Sequence, residues 1–192
     1  LMTTALKITA SLLLTILLLT QTMPKTQAYP VSIEEISEKI APSTGVYIPV
    51  AWGNLLNDLR LVGAVDPVLL NETLSKSQVE SLTAEEYSLF YENSTRHIQL
   101  NSESKTFLLY VFWAFGLSNN NTILDGHAHM LGNQTSPVGI TKYGSVNILK
   151  LTPEQQTLVE DVALNSYRPC CNAATIIPDC SHGFAALGFI EL

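Results

Sequence analysis

The sequence predicts an all-α fold: an irregular bundle of several short helices around a central apolar helix at about 102–117, with a long loop at 118–151. Three observations carry this. Helix-start signatures of the type Ser/Thr-x-x-Glu/Gln stand at Ser32…Glu35, Thr83…Glu86 and Thr152…Gln155. Apolar residues recur at the three- and four-residue spacing of one helical face. The run Phe107–Leu117 is apolar nearly all round, as suits a helix in the middle of a core.

The elements follow in order. Residues 1–28 read as a secretory signal peptide: Lys7 supplies the positive start, "ITASLLLTILLL" (Ile8–Leu19) the apolar stretch, and "TQA" (Thr26–Ala28) a small residue for cleavage. The apolar stretch is shorter than the roughly 20 residues of a membrane span, so a membrane enters only through an uncleaved signal. No cysteine follows it, which excludes a bacterial lipoprotein anchor. Residues 29–192 then form a single α-helical domain, in keeping with roughly 100–200 residues per domain.

"SIEEISEKIA" places Ile33, Ile36 and Ile40 on one helical face. After the breaker "PSTG", "AWGNLLNDLRLVG" spaces Trp52, Leu55, Leu56, Leu59 and Val62 as a helix, with Gly63 as its stop. "VDPVLLNETL" opens with Asp66 as cap and Pro67 at the first helical position. "SKSQVESLTAEEYSLFYEN" reads as two short polar helices, and "HIQL" as a brief extended piece.

The central helix runs from Ser102; its eleven-residue apolar run is too short to cross a membrane. Residues 118–151, rich in Asn and Gly, show little periodicity, which marks a functional or mobile loop. "TPEQQTLVEDVALNSY" is a helix capped by Thr152, with Pro153 at its first position and Leu158, Val159, Val162 and Leu164 as its apolar residues. Pro169 prevents its continuation. Asp179 or Ser181 caps a last helix, "HGFAALGFIEL". Leu1 preceding Met2, and a last helix that ends in mid-pattern, suggest a fragment truncated at the C-terminus. No internal repeat is present.

Removal of residues 1–28 takes away Lys7 and Lys25, two of the ten basic residues, and none of the 17 acidic ones, which leaves a net charge of −9. The remaining basic residues are scattered, so nucleic acid is excluded as a partner: its recognition begins with clustered Lys and Arg. Any protein partner is left open. Sequons at Asn71, Asn93, Asn120 and Asn133 would mark surface positions if an exported chain were glycosylated.

The chemistry concentrates in "YRPCCNAATIIPDCSHG" (Tyr167–Gly183), which holds all three cysteines and His182. Three readings compete. In the first, Cys170, Cys171, Cys180 and His182 bind a metal ion or cluster: three thiolates and an imidazole suit tetrahedral Zn²⁺, and soft thiolates also suit Cu(I) or iron–sulfur chemistry. The spacer "NAATIIPD" folds back at Pro178 and Asp179, and Cys180 and His182 fall at a helix start that favours thiolate. Against this, adjacent cysteines seldom both face one ion, and the spacing is no standard zinc-finger pattern.

In the second, the thiols do redox chemistry or form a bridge. Cys170 and Cys171 close a vicinal disulfide, or one of them pairs with Cys180, and Cys180 beside His182 is the attacking thiol. C-x-x-C is absent. In the third, the segment is a buried turn whose cysteines act as small hydrophobes.

"GHAHM" (Gly126–Met130) offers a subordinate donor set, His127, His129 and Met130, suited to copper or zinc; the plainer reading is two solvated histidines. G-x-S-x-G, HExxH, P-loop and dinucleotide fingerprints are missing, and Glu85 with Glu86 reads as a solvated pair. Whether the chain is an enzyme is left open.

The C-terminal segment resembles an uncharacterised family of exported archaeal and bacterial proteins with a YRPCC-N…PDC-x-HG…LG…LEL motif. The family's preceding "TPEQ" helix start falls here at Thr152–Gln155, and the motif's positions are Tyr167–Cys171, Asn172, Pro178–Cys180, His182–Gly183, Leu187–Gly188 and Glu191–Leu192. "FWAFGLSNNNTIL" (Phe112–Leu124) resembles that family's central helix and the Asn-rich turn after it. The likeness covers about half of the chain after the signal. It implies that Cys170, Cys171, Cys180 and His182 belong to one site, and implies no activity; "GHAHM" is outside its pattern.

The sequence alone thus points first to an extracytoplasmic metal-binding protein (Zn, Cu or iron–sulfur) in metal handling or electron transfer. A thiol–disulfide redox protein, or a disulfide-stapled cell-surface interaction module, stands as the alternative.

Overall fold

A computed structural model describes residues 32–40, 42, 44–77, 81–125, 136 and 138–192. The signal-like segment 1–28 and the "GHAHM" histidines lie outside the described residues. The chain divides into two compact units, 1–37 and 38–192. Of the first, the description covers the start of helix α1 (Ile33–Ile40), where the Ser32 hydroxyl accepts the Glu35 N–H at 3.0 Å.

The second unit corrects the all-α expectation. Its elements are β1 (Val46–Gly53), α2 (Leu55–Leu61), α3 (Pro67–Lys76), α4 (Ala84–Ser88), β2 (Ser94–Leu100), α5 (Lys105–Ser118), α6 (Thr122–Asp125), α7 (Pro153–Asn165), β3 (Tyr167–Arg168), β4 (Ala173–Ala174) and α8 (Ser181–Ile190). The strands pair as two antiparallel ribbons, β1–β2 and β3–β4, so the fold is mixed α/β. Among the described residues, no helix is long and apolar enough to cross a membrane.

The first ribbon has a local cause. Val46, Tyr47, Ile48 and Val50 are β-branched or aromatic and suit a pleated surface. Pro49 argues against a central strand, because it cannot donate to a ladder. A two-stranded ribbon has only edges, and the pairing slips at this point: Ile48 faces Ile98, but the next pair is Ala51 with His97. "HIQL" is therefore the end of a full seven-residue strand. Trp52 belongs to β1 and not to the helix after it, which starts at Leu55.

Most helix starts stand where the caps place them. Asp66 accepts from the Val68 and Leu69 N–H groups, and Thr83–Glu86 and Thr152–Gln155 form complete capping boxes. α5 begins at Lys105, later than the expected Ser102; Ser104 and Asn101 organise the turn before it.

α5 is the centre of the core. Val111, Phe115 and Leu117 have no exposed surface, and each such side chain contributes about 1.5–3 kcal/mol on burial. Its principal partner is α8. The two backbones touch: a Cβ on Gly116 would lie 2.6 Å from the Gly188 nitrogen, and one on Gly188 would lie 2.5 Å from the Phe112 carbonyl oxygen.

The described part of 118–151 is not a bare loop. Asn119 is fully buried: its Nδ2 donates to the Leu149 carbonyl and, at 2.6 Å, to Glu191, while its Oδ1 accepts from the Ile148 and Leu149 N–H groups. Asn121 donates to the other Glu191 oxygen at 2.9 Å and accepts from Ile123 and Gln156. These asparagines supply the hydrogen bonds that regular structure would otherwise provide, and they fasten the end of α8 to the segment after α5.

Candidate functional site

The thiol segment is a small ribbon feeding a helix. Tyr167 pairs with Ala174 and Arg168 with Ala173, which leaves Pro169–Asn172 as the connecting turn. The Cys171 N–H donates to the Arg168 carbonyl at 3.2 Å. Asn172 takes φ +50°, a left-handed conformation that Asn tolerates better than most residues. Its Oδ1 accepts the Tyr167 hydroxyl at 2.6 Å and so closes the turn across its base. The N–H and hydroxyl of Thr175 donate to the Ser166 carbonyl, and the Ile176 N–H donates to the Ala163 carbonyl, which ties the ribbon to α7.

Cys180 caps α8, in place of the expected Asp179 or Ser181: its backbone is extended and its Sγ accepts the Gly183 N–H at 3.4 Å. The segment thereby gathers three sulfurs. Cys171 Sγ lies 3.2 Å from Cys180 Sγ and 3.5 Å from Cys170 Sγ. All three cysteines are free thiols; Cys170 is exposed and the other two are half-buried.

Beneath them lies a buried cation. Arg168 is 7 % exposed, and a charge so placed must be paired. Its Nη2 donates to Asp179 Oδ1 at 3.0 Å and to the Ala174 and Ile177 carbonyls; its Nη1 donates to Cys180 Sγ at 3.2 Å. Burial works against the guanidinium charge, but Asp179 and the Cys180 and Cys171 sulfurs outweigh it and hold Arg168 protonated above its usual range. Gly183 makes the space: a Cβ there would lie 2.8 Å from Nη1 and 2.9 Å from the Pro178 Cα.

The sulfurs are not equivalent. Cys171, in the middle, is pushed up to about 12, first by its hydrogen bond to Cys180, then by that to Cys170 and by burial. It keeps its proton. Cys180 receives two N–H donors, one from the Arg168 guanidinium and one from the start of α8.

The proposed four-donor set is only partly gathered. Among the described residues, the ligand-capable atoms that lie within 4.8 Å of one another belong to Cys171, Asp179 and Cys180. Cys170 reaches Cys171 but is outside that group, and His182 lies outside it as well. His127, His129 and Met130 lie outside the described residues, as does Asn133. The Asn93 and Asn120 sequons are exposed; the Asn71 side chain is half-buried and accepts the Leu82 N–H.

Sequence reasoning missed Arg168 and Asp179 as site residues. The available signal is an arginine directly before the Pro-Cys-Cys turn and an aspartate directly before the third cysteine. In the sequence Asp179 reads as turn and cap chemistry and Arg168 as one scattered basic residue, because nothing in one sequence says which charged residue is buried.

A separate cleft of about 500 Å³ is floored by Trp52, Phe107 and Leu108. Four of its polar residues serve local structure: Thr83 with Glu86 in a capping box, and Arg96 on Glu85. No residue of the thiol segment lines it.

Comparison with family models, with characterised proteins and with solved structures finds no match to this chain.

Proposed function

We propose that this is an extracytoplasmic thiol–disulfide exchange protein whose redox couple is Cys171 and Cys180. The observation that carries the reading is the 3.2 Å contact between their sulfurs with the Arg168 guanidinium donating to one of them. A disulfide of about 2.05 Å is a short closure away.

The steps follow from the donors. Cys180 gives its proton to solvent and its thiolate attacks one sulfur of a substrate disulfide; that bond breaks, and one substrate sulfur leaves as thiolate and takes a proton from solvent. Cys171 then gives its proton to solvent and attacks the Cys180 sulfur, which expels the second substrate thiolate. The substrate gains two electrons, and the Cys171–Cys180 disulfide forms. The order is built in. Cys171 is held protonated chiefly by its hydrogen bond to Cys180, and it loses that restraint once Cys180 carries the substrate.

A metal centre is the second reading, favoured by the proximity of Cys171, Asp179 and Cys180. Two features weigh against it. The 3.2 Å sulfur separation is shorter than the about 3.8 Å edge of a zinc tetrahedron with bonds of about 2.3 Å. And the Arg168 cation already binds two of the three donors.

Anaerobic purification, metal analysis and thiol counting before and after treatment with oxidised glutathione test both. The exchange reading expects no stoichiometric metal and the loss of two of the three thiols. A stoichiometric metal that is lost in Cys180→Ser establishes the second reading; three thiols that survive the oxidant overturn the first.

A further inference from the structure

We infer that Cys171 is a shared sulfur which exchanges disulfide partners, so that the bond formed with Cys180 passes to Cys170 at the exposed tip of the turn. This rests on the exchange reading above and extends it to the third thiol. The geometry is a chain of contacts: Cys170 to Cys171 at 3.5 Å, and Cys171 to Cys180 at 3.2 Å. Cys171 is the middle member of that chain and touches both of the others, so it is the sulfur placed to pair with either. Cys170 is exposed, while Cys171 and Cys180 are half-buried.

The step is an isomerisation and needs no external oxidant. Cys170 loses its proton to solvent and its thiolate attacks Cys171 Sγ. The Cys170–Cys171 bond forms and the Cys171–Cys180 bond breaks, with the electron pair leaving on Cys180 Sγ. That sulfur is where the Arg168 and Gly183 N–H groups already donate. Donors that favour a nucleophilic thiolate also favour the same sulfur as a leaving group, so one arrangement serves both uses of Cys180.

The consequence is two faces for one couple. Cys180 meets the substrate disulfide, and the product disulfide emerges at the tip. There a partner dithiol re-reduces it: one partner thiolate attacks Cys170 Sγ and frees Cys171, and the second resolves the mixed disulfide and frees Cys170. The partner ends oxidised by two electrons. The recognising chemistry is that of a dithiol protein able to approach an exposed turn.

The test uses the full chain, oxidised with one equivalent of diamide at neutral pH, quenched in acid and trapped with N-ethylmaleimide. Reduction, a second alkylating label and fragmentation then locate the maleimide. The expected result is maleimide divided between Cys170 and Cys180, with the minor fraction within about tenfold of the major one. In Cys170→Ser, Cys180 carries none. In Cys180→Ser, a Cys170–Cys171 disulfide forms.

Maleimide confined to Cys170 in the parent chain, with no disulfide in Cys180→Ser, overturns the exchange of partners and leaves the Cys171–Cys180 couple standing. Maleimide on Cys171 alone shows a Cys170–Cys180 bond and overturns both readings. Three labelled thiols after diamide also overturn both.

Discussion

The Arg168 guanidinium occupies the volume that a side chain at Gly183 would need: a Cβ there would lie 2.8 Å from Nη1 and 3.1 Å from Cζ. The glycine after His182 is thus a condition of the site. Gly183→Ala should displace the guanidinium from Cys180 and Asp179. We expect a loss of about 1–3 kcal/mol in urea unfolding. We also expect several-fold slower alkylation of Cys180, which loses the guanidinium contact on its sulfur. Unchanged alkylation with reduced stability would separate packing from chemistry and speak against the assigned role of Arg168.

The middle thiol should be the least reactive of the three. Cys171 is held up at about 12, so at pH 8 its thiolate is scarce. Site-resolved alkylation of the reduced protein should give Cys171 a rate at least about tenfold below that of Cys170. Cys180→Ser removes the largest cause of the shift and should speed Cys171. Equal rates at the two positions in the parent chain would contradict this ordering.

The approach of α5 and α8 sets a second test. Gly116→Ala and Gly188→Ala each drive a methyl into the facing backbone, and backbone cannot swing aside as a side chain does. Each should cost about 3 kcal/mol or more by urea unfolding. Gly53 is the control: it has φ +54° with open space around its Cβ position, so Gly53→Ala carries only conformational strain, about 1–2 kcal/mol.

Much of the helical frame was legible in the sequence, and the reason is local. Asp66, Thr83 and Thr152 act on N–H groups two or three residues away, so a short window contains the whole interaction. The apolar run from Phe107 likewise announces burial on every side. β1 was hidden because its four β-formers are interrupted by Pro49, and only its partner some 50 residues away in the chain makes it a strand. Trp52 sits at a helical spacing from Leu55 and Leu56 by coincidence of an adjacent strand and helix. The clustering of the three cysteines could be read; the burial of Arg168 could not, because it depends on the close approach of Gly183 in α8. The asparagines after α5 looked like loop composition for the same reason: their partner, Glu191, lies some 70 residues on.

That partner gives the fold a pH dependence. Glu191 is raised to about 7, with burial outweighing the Asn119 and Asn121 amides that pull it down. The unfolded carboxyl titrates near 4.5. Between these values the native state holds a proton that the unfolded state has released, so the contribution is fully present below about pH 4.5 and is lost as pH rises through about 7. Unfolding followed from pH 5 to 8 should show stability falling by a few kcal/mol at most, since each pH unit that separates the native and unfolded titrations is worth on the order of 1.4 kcal/mol. Glu191→Gln should flatten the profile in that window. A parent profile that rises from pH 5 to 7 would contradict the assignment.

On the proposed reading, Cys171 and Cys180 form a reversible couple and not a permanent staple. Equilibration of the protein across a series of dithiothreitol redox buffers, with thiols trapped in acid and counted by mass, measures this directly. We expect a single two-electron transition with a midpoint between about −270 and −120 mV, the range of exchange proteins. We also expect Cys171→Ser to abolish the native transition. A midpoint below about −300 mV, where structural disulfides lie, or the absence of any transition, would contradict it.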